Sequence, residues 1–242
     1  MTTAFDLTGN RVLVTGAASG IGAATARVCA TMGAAVMLAD IADCTPVAEA
    51  IRRDSGTAEA FPCDVAERRK VEALVTSLLP LDALVVSSAI CPWDDWDDSN
   101  WDETFQRVIS VDLLGPINLS RAVLPHMIAR GGGRIVLVGS LAGRTGGLIA
   151  SPHYASAKGG LHAFVRWLAR RGARGGVLVN GVAPASVRTP MMQGQPVDLT
   201  LVPLGRMAEP EEIAWPIAFL CSRAASFVTG VILDINGGVL MA

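Results

Sequence analysis

The stretch VLVTGAASGIG, residues 12–22, decides the fold. It reads as a short apolar strand, a turn rich in glycine and the start of a helix. Gly16 permits a tight turn, Gly20 lets backbone amides approach a pyrophosphate, and Gly22 lets the helix pack closely against the strand. The first turn of that helix offers unpaired N–H groups and a positive dipole end to phosphates. In this context the turn favours a dinucleotide site over an ordinary strand–helix connection.

Short apolar runs recur outward from this stretch along the whole chain. They consist mainly of Val, Leu, Ile and Ala without polar alternation, as strands buried on both faces require. We predict strands at residues 12–15, 35–40, 58–63, 83–88, 134–139, 177–182 and 231–235. Segments with helix length lie between them, at residues 21–32, 67–79, 101–130, 154–171 and 211–222. This rhythm predicts an α/β fold with a doubly wound parallel sheet of about seven strands, which binds ligands beyond the strands' carboxyl ends.

The composition fits a single folded domain over residues 1–242. Hydrophobic residues make up 51% of the chain and charged residues 17%, so a large core can form. A net charge of -2 without a basic block gives no footprint for nucleic acid. Because residues 1–15 lack a signal-peptide pattern and no apolar run approaches about 18 residues, we expect a cytoplasmic protein without a membrane span. The five scattered cysteines indicate neither disulfides nor a zinc site.

An acidic residue ends the second predicted strand. Asp40 follows Gly16 by 24 residues, a position where a carboxylate accepts hydrogen bonds from the adenosine ribose and repels a 2′-phosphate. The position favours NAD over NADP. A solvated acid at a strand end is the alternative interpretation.

The chain has one tyrosine, Tyr154, and one of its two lysines, Lys158, follows four residues later. On a helix the two side chains project from one face. An ammonium group beside a phenol stabilises the phenolate and lowers the phenol pKa from about 10, toward values that suit proton exchange with an alcohol. Ser140, just after the fifth predicted strand, is placed to hold a substrate oxygen. Chance alone would give this spacing in about 1% of such chains.

Taken in order, these features resemble the short-chain dehydrogenase/reductase family over essentially the whole chain. The features are the turn TGAASGIG, Asp40, Asp64 with Val65, Ser140, the YASAK motif, Asn180 with Pro184, Gly230 and the segment DINGG at residues 234–238. The resemblance implies a single Rossmann-like domain and hydride transfer between a nicotinamide and a carbonyl or secondary alcohol. It implies that Tyr154 is the general acid/base, that Lys158 binds the nicotinamide ribose, and that Ser140 orients the substrate carbonyl.

The same resemblance implies the contacts of the cofactor, which we expect to be NAD (NADH). Asp64 and Val65 would contact the adenine, and Thr189 would meet the nicotinamide carboxamide. The predicted cofactor-binding residues are Gly16, Ser19, Gly20, Ile21, Gly22, Asp40, Asp64, Val65, Ala89, Tyr154, Lys158, Pro184, Val187 and Thr189.

Three positions depart from the family pattern. Residues 87–90 read Ser-Ser-Ala-Ile instead of Asn-Asn-Ala-Gly, and Ala185 follows Pro184 where the family has glycine. Asp112 stands where the family has the asparagine of its catalytic tetrad, so we count it as the fourth predicted catalytic residue. An ionised aspartate accepts hydrogen bonds but donates none, and its charge would lie near Lys158.

The residues expected around the substrate are mostly apolar: Trp93, Leu141, His153, Ala185, Ser186, Met191 and Met192. Without a basic anchor other than Arg144 or Arg188, they favour a neutral, hydrophobic ketone or secondary alcohol, including a cyclic one. A mobile loop at residues 190–202 would reshape the pocket on closure. We interpret the acidic run at residues 93–98 as a solvated loop rather than a metal or carbohydrate site, and predict no metal.

Two further expectations concern surfaces. His126 and His162 are interpreted as helix-surface or interface residues. The helices predicted at residues 101–130 and 154–171 carry more apolar surface than one sheet face needs, so we expect a homodimer or homotetramer.

Two alternative functions remain open beside an NAD-dependent oxidoreductase. One is a 3-oxoacyl-thioester reductase, whose usual NADPH preference conflicts with Asp40. The other is an NAD-binding sensor or scaffold whose chemistry has weakened, a reading that Asp112 and the serines at residues 87 and 88 support and that Ser140, Tyr154 and Lys158 oppose.

Overall fold

Seven parallel strands form one sheet in a computed structural model that describes residues 3–94, 96–147 and 149–241. The strands are β1 (Arg11–Thr15), β2 (Ala35–Asp40), β3 (Thr57–Pro62), β4 (Ala83–Val86), β5 (Gly133–Val138), β6 (Val177–Pro184) and β7 (Ile232–Ile235). Their order across the sheet is β3-β2-β1-β4-β5-β6-β7. The predicted parallel sheet is therefore confirmed, with strand ends within two residues of those predicted.

The strand order reverses between β1 and β4. The chain runs outward from β1 to β2 and β3, returns to β4, and then continues outward to β7. In register, Val12 of β1 pairs with Val36 of β2 on one side and with Ala83 of β4 on the other. Such a reversal opens a crevice at the carboxyl ends of the two central strands, where ligands bind in sheets of this kind.

Helices cover both faces of the sheet. They are α1 (Gly20–Thr31), α2 (Thr45–Arg53), α3 (Arg68–Leu78), α4 (Trp101–Ile109), α5 (Gly115–Ala129), α6 (Ala142–Thr145), α7 (Pro152–Ala173) and α8 (Pro210–Cys221). One apolar core joins α1, α2 and α8 to the sheet, and a second joins α3, α5 and α7 to the opposite face. The strands are buried from both sides, which explains why their sequences lack polar alternation.

Two helical features were not predicted. The segment at residues 45–53 forms α2, whose Val47, Ala48 and Ile51 pack into the core; nine residues with three buried positions give a weak periodic signal. The helix predicted at residues 101–130 contains a π-helical segment, Ser110–Leu114, between α4 and α5. Asp112 lies within that segment and is fully buried. Short π segments inside α-helices often occur at functional sites.

Within the described residues, the continuous helix Trp101–Ala129 is long and apolar enough, by those two measures, to cross a membrane. Half of its apolar window is buried inside the protein. Leu119, Val123 and Met127 belong to the core that α5 shares with α3 and α7. Packing within the fold thus accounts for part of the apolar character of this helix.

Candidate active site

A cavity of about 730 Å³ lies at the carboxyl edge of the sheet, within the size range of small-molecule and cofactor sites. All fourteen residues predicted to bind the cofactor line it, from Gly16 in the β1–α1 turn to Thr189 after β6. The fold therefore brings together one continuous site from residues spread over most of the chain.

The β1–α1 turn has room for glycine alone at its critical positions. Gly16 has φ +68°, and a Cβ there would lie 2.5 Å from the backbone nitrogen of Ser88 in the segment after β4. A Cβ on Gly22 would overlap the carbonyl oxygen of Gly16. The turn therefore approaches the neighbouring strand end closely and leaves α1 pointing its N-terminus at the cavity. This cradle fits the phosphates of a dinucleotide.

Asp40 is held at the end of β2 by two backbone N–H groups. Its Oδ2 accepts a hydrogen bond from Ala18 at 3.1 Å, and its Oδ1 accepts one from Ala42 at 3.0 Å. The next residue, Ile41, is 77% exposed and apolar. Among the described residues that line the cavity, the basic side chains are Lys158 and Arg107. Asp40 thus presents an oriented carboxylate to the cavity. Among the described lining residues, neither the β1–α1 turn nor the end of β2 contributes a basic side chain.

Ser140, Tyr154 and Lys158 converge at the inner wall of the cavity. Ser140 follows β5 directly, while Tyr154 and Lys158 lie one turn apart near the start of α7. The Ser140 hydroxyl hydrogen-bonds to Tyr154. The Lys158 Nζ lies 5.4 Å from the centre of the Tyr154 ring and donates a hydrogen bond to the Val138 carbonyl oxygen at 3.2 Å. The three side chains predicted from the sequence are therefore neighbours in space.

Asp112 lies beneath this group and pairs with Lys158. The Asp112 Oδ2 is 3.2 Å from the Lys158 Nζ, with both side chains buried. The Asp112 Oδ1 accepts a hydrogen bond from the Ile90 N–H at 2.9 Å. Burial raises the pKa of Asp112, and the charge of Lys158 opposes that rise. An asparagine would satisfy the same N–H without a charge, so the buried ion pair is a consequence of aspartate at this position.

The expected lowering of the Tyr154 pKa by Lys158 is wrong for this structure. Burial raises the pKa of Tyr154, the charges of Asp112 and Cys91 raise it further, and the hydrogen bond with Ser140 lowers it only in part. The ammonium of Lys158 faces the carboxylate of Asp112, so its effect on the phenol is offset. The net effect of these neighbours is a pKa of Tyr154 above its ordinary value.

Six of the seven residues predicted to lie around the substrate line the cavity. The wall includes Trp93, Leu141, Ala185, Ser186, Met191 and Met192. His153 does not belong to it, which corrects its assignment as a substrate contact. The His153 side chain instead points into the protein and forms a hydrogen bond with Asp94, with 3.0 Å between the His153 Nε2 and the Asp94 Oδ1.

Several other expectations for polar residues are corrected. Asp94, placed in a solvated loop by the sequence, is nine-tenths buried against His153. His162 is buried behind β5 rather than on a surface, and burial lowers its pKa to about 4. Arg144 pairs with Asp234 and Arg188 with Glu209, so neither basic anchor considered from the sequence lines the cavity. In the described part of the chain, no group of three or more His, Cys, Asp or Glu residues is arranged to hold a metal.

Sequence reasoning missed one wall of the cavity. The helix α4 and the π segment contribute Glu103, Gln106, Arg107, Ser110 and Val111. Arg107 is exposed, and its side chain makes no hydrogen bond or ion pair with the described residues. No motif marks these residues, and their three- and four-residue spacing along one helix face was the available signal.

Comparisons with known proteins show which proteins this chain is similar to. A family model described as Enoyl-(Acyl carrier protein) reductase matches residues 16–240. The cis-4-hydroxycyclohexanecarboxylate dehydrogenase of Sinomonas cyclohexanicum is 41% identical over 240 residues, covering 93% of this chain and 94% of that protein. The residues matched by the family model include Gly16, Ser140, Tyr154 and Lys158.

Two crystal structures of 3-oxoacyl-(acyl-carrier-protein) reductases are also similar. The structure from Agrobacterium tumefaciens C58, with NADP bound, has a TM-score of 0.90 at 29% identity and covers 98% of this chain and 97% of its own. The structure from Brucella melitensis, with bound NAD, has a TM-score of 0.90 at 31% identity and covers 98% and 94%. Proteins of this shape thus bind either dinucleotide.

The sheet, the glycine cradle and the convergent side chains define a nicotinamide-dependent oxidoreductase that acts on CH–OH groups. The chain belongs to the short-chain dehydrogenase/reductase family, because the family model and the relatives match it over nearly its whole length.

Proposed function

We propose that the protein interconverts a cyclic secondary alcohol and its ketone with NAD(H), and that Tyr154 is the general acid/base. The observation that carries this proposal is the convergence of Ser140, Tyr154 and Lys158 on one wall of the cavity that also contains the glycine cradle. A phenol that can exchange a proton beside a dinucleotide site is the minimum that carbonyl reduction requires of the protein.

The cradle at residues 16–22 would hold the cofactor phosphates, Asp40 the adenosine ribose, and Asp64 with Val65 the adenine. Val187 and Thr189 also line the cavity, and they would meet the nicotinamide. The cofactor supplies or accepts the hydride when bound. The orientation of Asp40 by the Ala18 and Ala42 N–H groups supports NAD over NADP, because a fixed carboxylate repels a 2′-phosphate.

Tyr154 exchanges a proton with the substrate oxygen. In ketone reduction its hydroxyl donates a proton to the carbonyl oxygen, which Ser140 holds by a hydrogen bond. In alcohol oxidation the phenolate must accept that proton. Since burial and Asp112 raise the pKa of Tyr154, reduction is expected to be faster near neutral pH, and oxidation is expected to accelerate as the pH rises.

The wall residues support a ring-sized, largely apolar substrate. Trp93, Leu141, Met191 and Met192 line the same cavity as Tyr154. The relative from Sinomonas cyclohexanicum carries a cyclohexane ring in the name of its substrate. We therefore propose a cyclohexanol-like ring as the core of the substrate.

A carboxylated ring is the second candidate, and Arg107 is the observation in its favour. This unpaired cation on α4 lines the cavity, and arginine binds carboxylates through two parallel hydrogen bonds. Arg107→Gln is expected to raise the KM for 4-hydroxycyclohexanecarboxylate about tenfold and to leave the KM for cyclohexanol unchanged. Arg121→Gln, an exposed arginine on α5, is the matched control.

The test of the proposed function is a comparison of NADH and NADPH oxidation with a panel of ketones. We expect turnover of cyclohexanone and its 4-substituted derivatives, with kcat/KM about 100-fold higher for NADH, or about 2.7 kcal/mol. Faster turnover of 3-oxoacyl thioesters with NADPH would favour the thioester reductase instead. Tight NADH binding without turnover of any carbonyl would favour a sensor.

Assembly into a homodimer or homotetramer is part of the proposal. Trp167 on α7 is 55% exposed and stacks with Phe164, with ring centres 6.2 Å apart. An exposed indole on a long helix, stacked on a half-buried phenyl ring, supports contact with another subunit. Light scattering at micromolar concentration measures the mass, and a monomer that retains full activity would contradict this assembly.

A further inference from the structure

The segment between β4 and α4, residues 87–100, has no regular secondary structure where it is described, yet it forms part of the substrate wall. Ile90, Cys91 and Trp93 all line the cavity. An irregular segment holds side chains in place only when other elements fix it, so its tethers determine the shape of the pocket.

One tether is a cluster of Asp94, Ser151 and His153, which we call the loop anchor. The Ser151 hydroxyl lies within hydrogen-bond distance of three oxygens of the segment: the Pro92 carbonyl at 3.0 Å, the Asp94 carbonyl at 3.1 Å and the Asp94 Oδ1 at 2.9 Å. The His153 Nε2 lies 3.0 and 3.1 Å from the two carboxylate oxygens of Asp94. The anchor thus joins the segment to the first turn of α7.

The tautomer of His153 is determined by its other nitrogen. The Tyr154 backbone N–H donates to the His153 Nδ1 at 2.8 Å, so Nδ1 carries a lone pair and Nε2 carries the hydrogen that Asp94 accepts. Ser151 occupies the N-cap of α7 but makes no capping bond with its side chain. A residue type that ordinarily caps helices is used here to hold the segment after β4.

The anchor is enclosed. The His153 side chain is fully buried, and Asp94 is nine-tenths buried. The ring of Trp101, the first residue of α4, stacks on the His153 ring with centres 5.7 Å apart and planes at 15°. Burial raises the pKa of Asp94, but the hydrogen bonds from His153 and Ser151 bring it below its ordinary value. The carboxylate therefore stays ionised, and three elements meet at one buried point.

On the basis of the proposed function, we infer that the loop anchor determines how far Trp93 projects toward Tyr154. The anchor thereby determines which rings fit the cavity, and its residues are positioning residues for substrate specificity. His153 and Asp94 do not line the cavity themselves, so they act through Trp93 and its neighbours. Loss of the anchor lets the segment relax outward, which enlarges the site without removing Ser140, Tyr154 or Lys158.

The experiment compares Asp94→Ala, Asp94→Asn and His153→Phe with wild type. In Asp94→Asn the side chain keeps an oxygen that accepts hydrogen bonds from His153 and Ser151, so this variant should retain the anchor. In His153→Phe the ring still stacks on Trp101, but the hydrogen bond to Asp94 is lost. Asp97→Ala, an exposed acid of the same segment, is the matched control. The kcat/KM for cyclohexanone relative to 4-tert-butylcyclohexanone should fall at least fivefold in the alanine and phenylalanine variants, and stay at the wild-type value in the other two.

A second readout is independent of turnover. With 5-fluorotryptophan in all five tryptophan positions, the Trp93 signal in ¹⁹F NMR is assigned by Trp93→Phe. It should shift or broaden in Asp94→Ala and His153→Phe, but not in Asp94→Asn or Asp97→Ala. An unmoved signal in Asp94→Ala, or a moved one in Asp94→Asn, would overturn the anchor. Absence of turnover in the wild type would overturn the proposed function and leave the NMR comparison decisive.

Discussion

The two halves of the cavity are built in different ways. The cofactor half consists of strand ends and backbone: the turn at residues 16–22 and the carboxylate of Asp40 are placed by short segments that follow β1 and β2 directly. The half proposed to bind the substrate consists of α4, the segment after β4, and Met191 and Met192 after β6. The first half depends on local geometry, whereas the second depends on side-chain pairs between distant parts of the chain.

This difference also determines how freely the sequence of each half can vary. A close approach between the β1–α1 turn and the residues after β4 leaves little freedom of sequence, as the Gly16 contact with Ser88 shows. The Asp94 and His153 side chains come from positions 59 residues apart, and other pairs would serve as well. We expect substitutions in the cofactor half to remove binding and those in the substrate half to change selectivity.

The largest effect is expected for Gly22→Ala. The added Cβ would overlap the Gly16 carbonyl oxygen, so the turn must move and NADH affinity should fall at least 100-fold, or about 2.7 kcal/mol. Fluorescence titration with NADH measures it. Gly132→Ala is the control, because its Cβ would have no neighbour nearer than 3.6 Å. Wild-type affinity in a folded Gly22→Ala protein would refute the close packing of this turn.

Asp40→Asn is expected to have the next largest effect. Removing the charge while keeping a hydrogen-bonding side chain should reduce the preference for NADH over NADPH about tenfold, mainly through a lower KM for NADPH. Steady-state kinetics with both cofactors provides the measurement. Asp54→Asn, an exposed acid after α2, should leave the ratio as it is. An unaltered ratio in Asp40→Asn would contradict the role of this carboxylate.

The third prediction concerns Asp112→Asn, a variant at the boundary between the two halves of the cavity, and the pH dependence of alcohol oxidation. Since the charge of Asp112 raises the pKa of Tyr154, its removal should lower that pKa and leave Lys158 without its buried partner. The alkaline rise of kcat for alcohol oxidation should then move to lower pH, while the Kd of NADH changes less than threefold. An identical pH profile would place Asp112 outside the proton path.

The smallest effect is expected for substitution of His162, which is buried behind β5. Burial lowers the pKa of His162 to about 4 from an ordinary value of 6.5, so the unfolded chain binds a proton in this range and the folded protein does not. Stability should therefore fall as the pH drops from about 6.5 to about 4. In His162→Gln the free energy of unfolding in urea should depend less steeply on pH, and His126→Gln should behave as wild type. Equal slopes in both variants would contradict this account of His162.

The sequence allowed most of the fold and the cofactor half to be predicted. Continuous apolar strands and the spacing of three glycines report local constraints that hold in any context. The spacing of Tyr154 and Lys158 likewise predicts neighbours on a helix face.

The remaining features depend on contacts that no single stretch encodes. His153 was predicted to touch substrate because it precedes Tyr154, but a helix turns successive side chains by about 100°, and this one points to Asp94. The direction of the Tyr154 pKa shift was predicted wrongly because the burial of its side chain and the nearby charge of Asp112 appear only in three dimensions. Arg107 reaches the cavity through the packing of α4, which the sequence does not specify.

Tyr154→Phe tests the central claim most directly, because it removes one hydroxyl and keeps the ring. With the cyclic ketone that the wild type reduces best, kcat should fall by about 10²–10⁴-fold, while fluorescence titration should give a Kd for NADH within threefold of wild type. Full activity of this variant would contradict the assignment of Tyr154 as the proton donor, and with it the proposed mechanism.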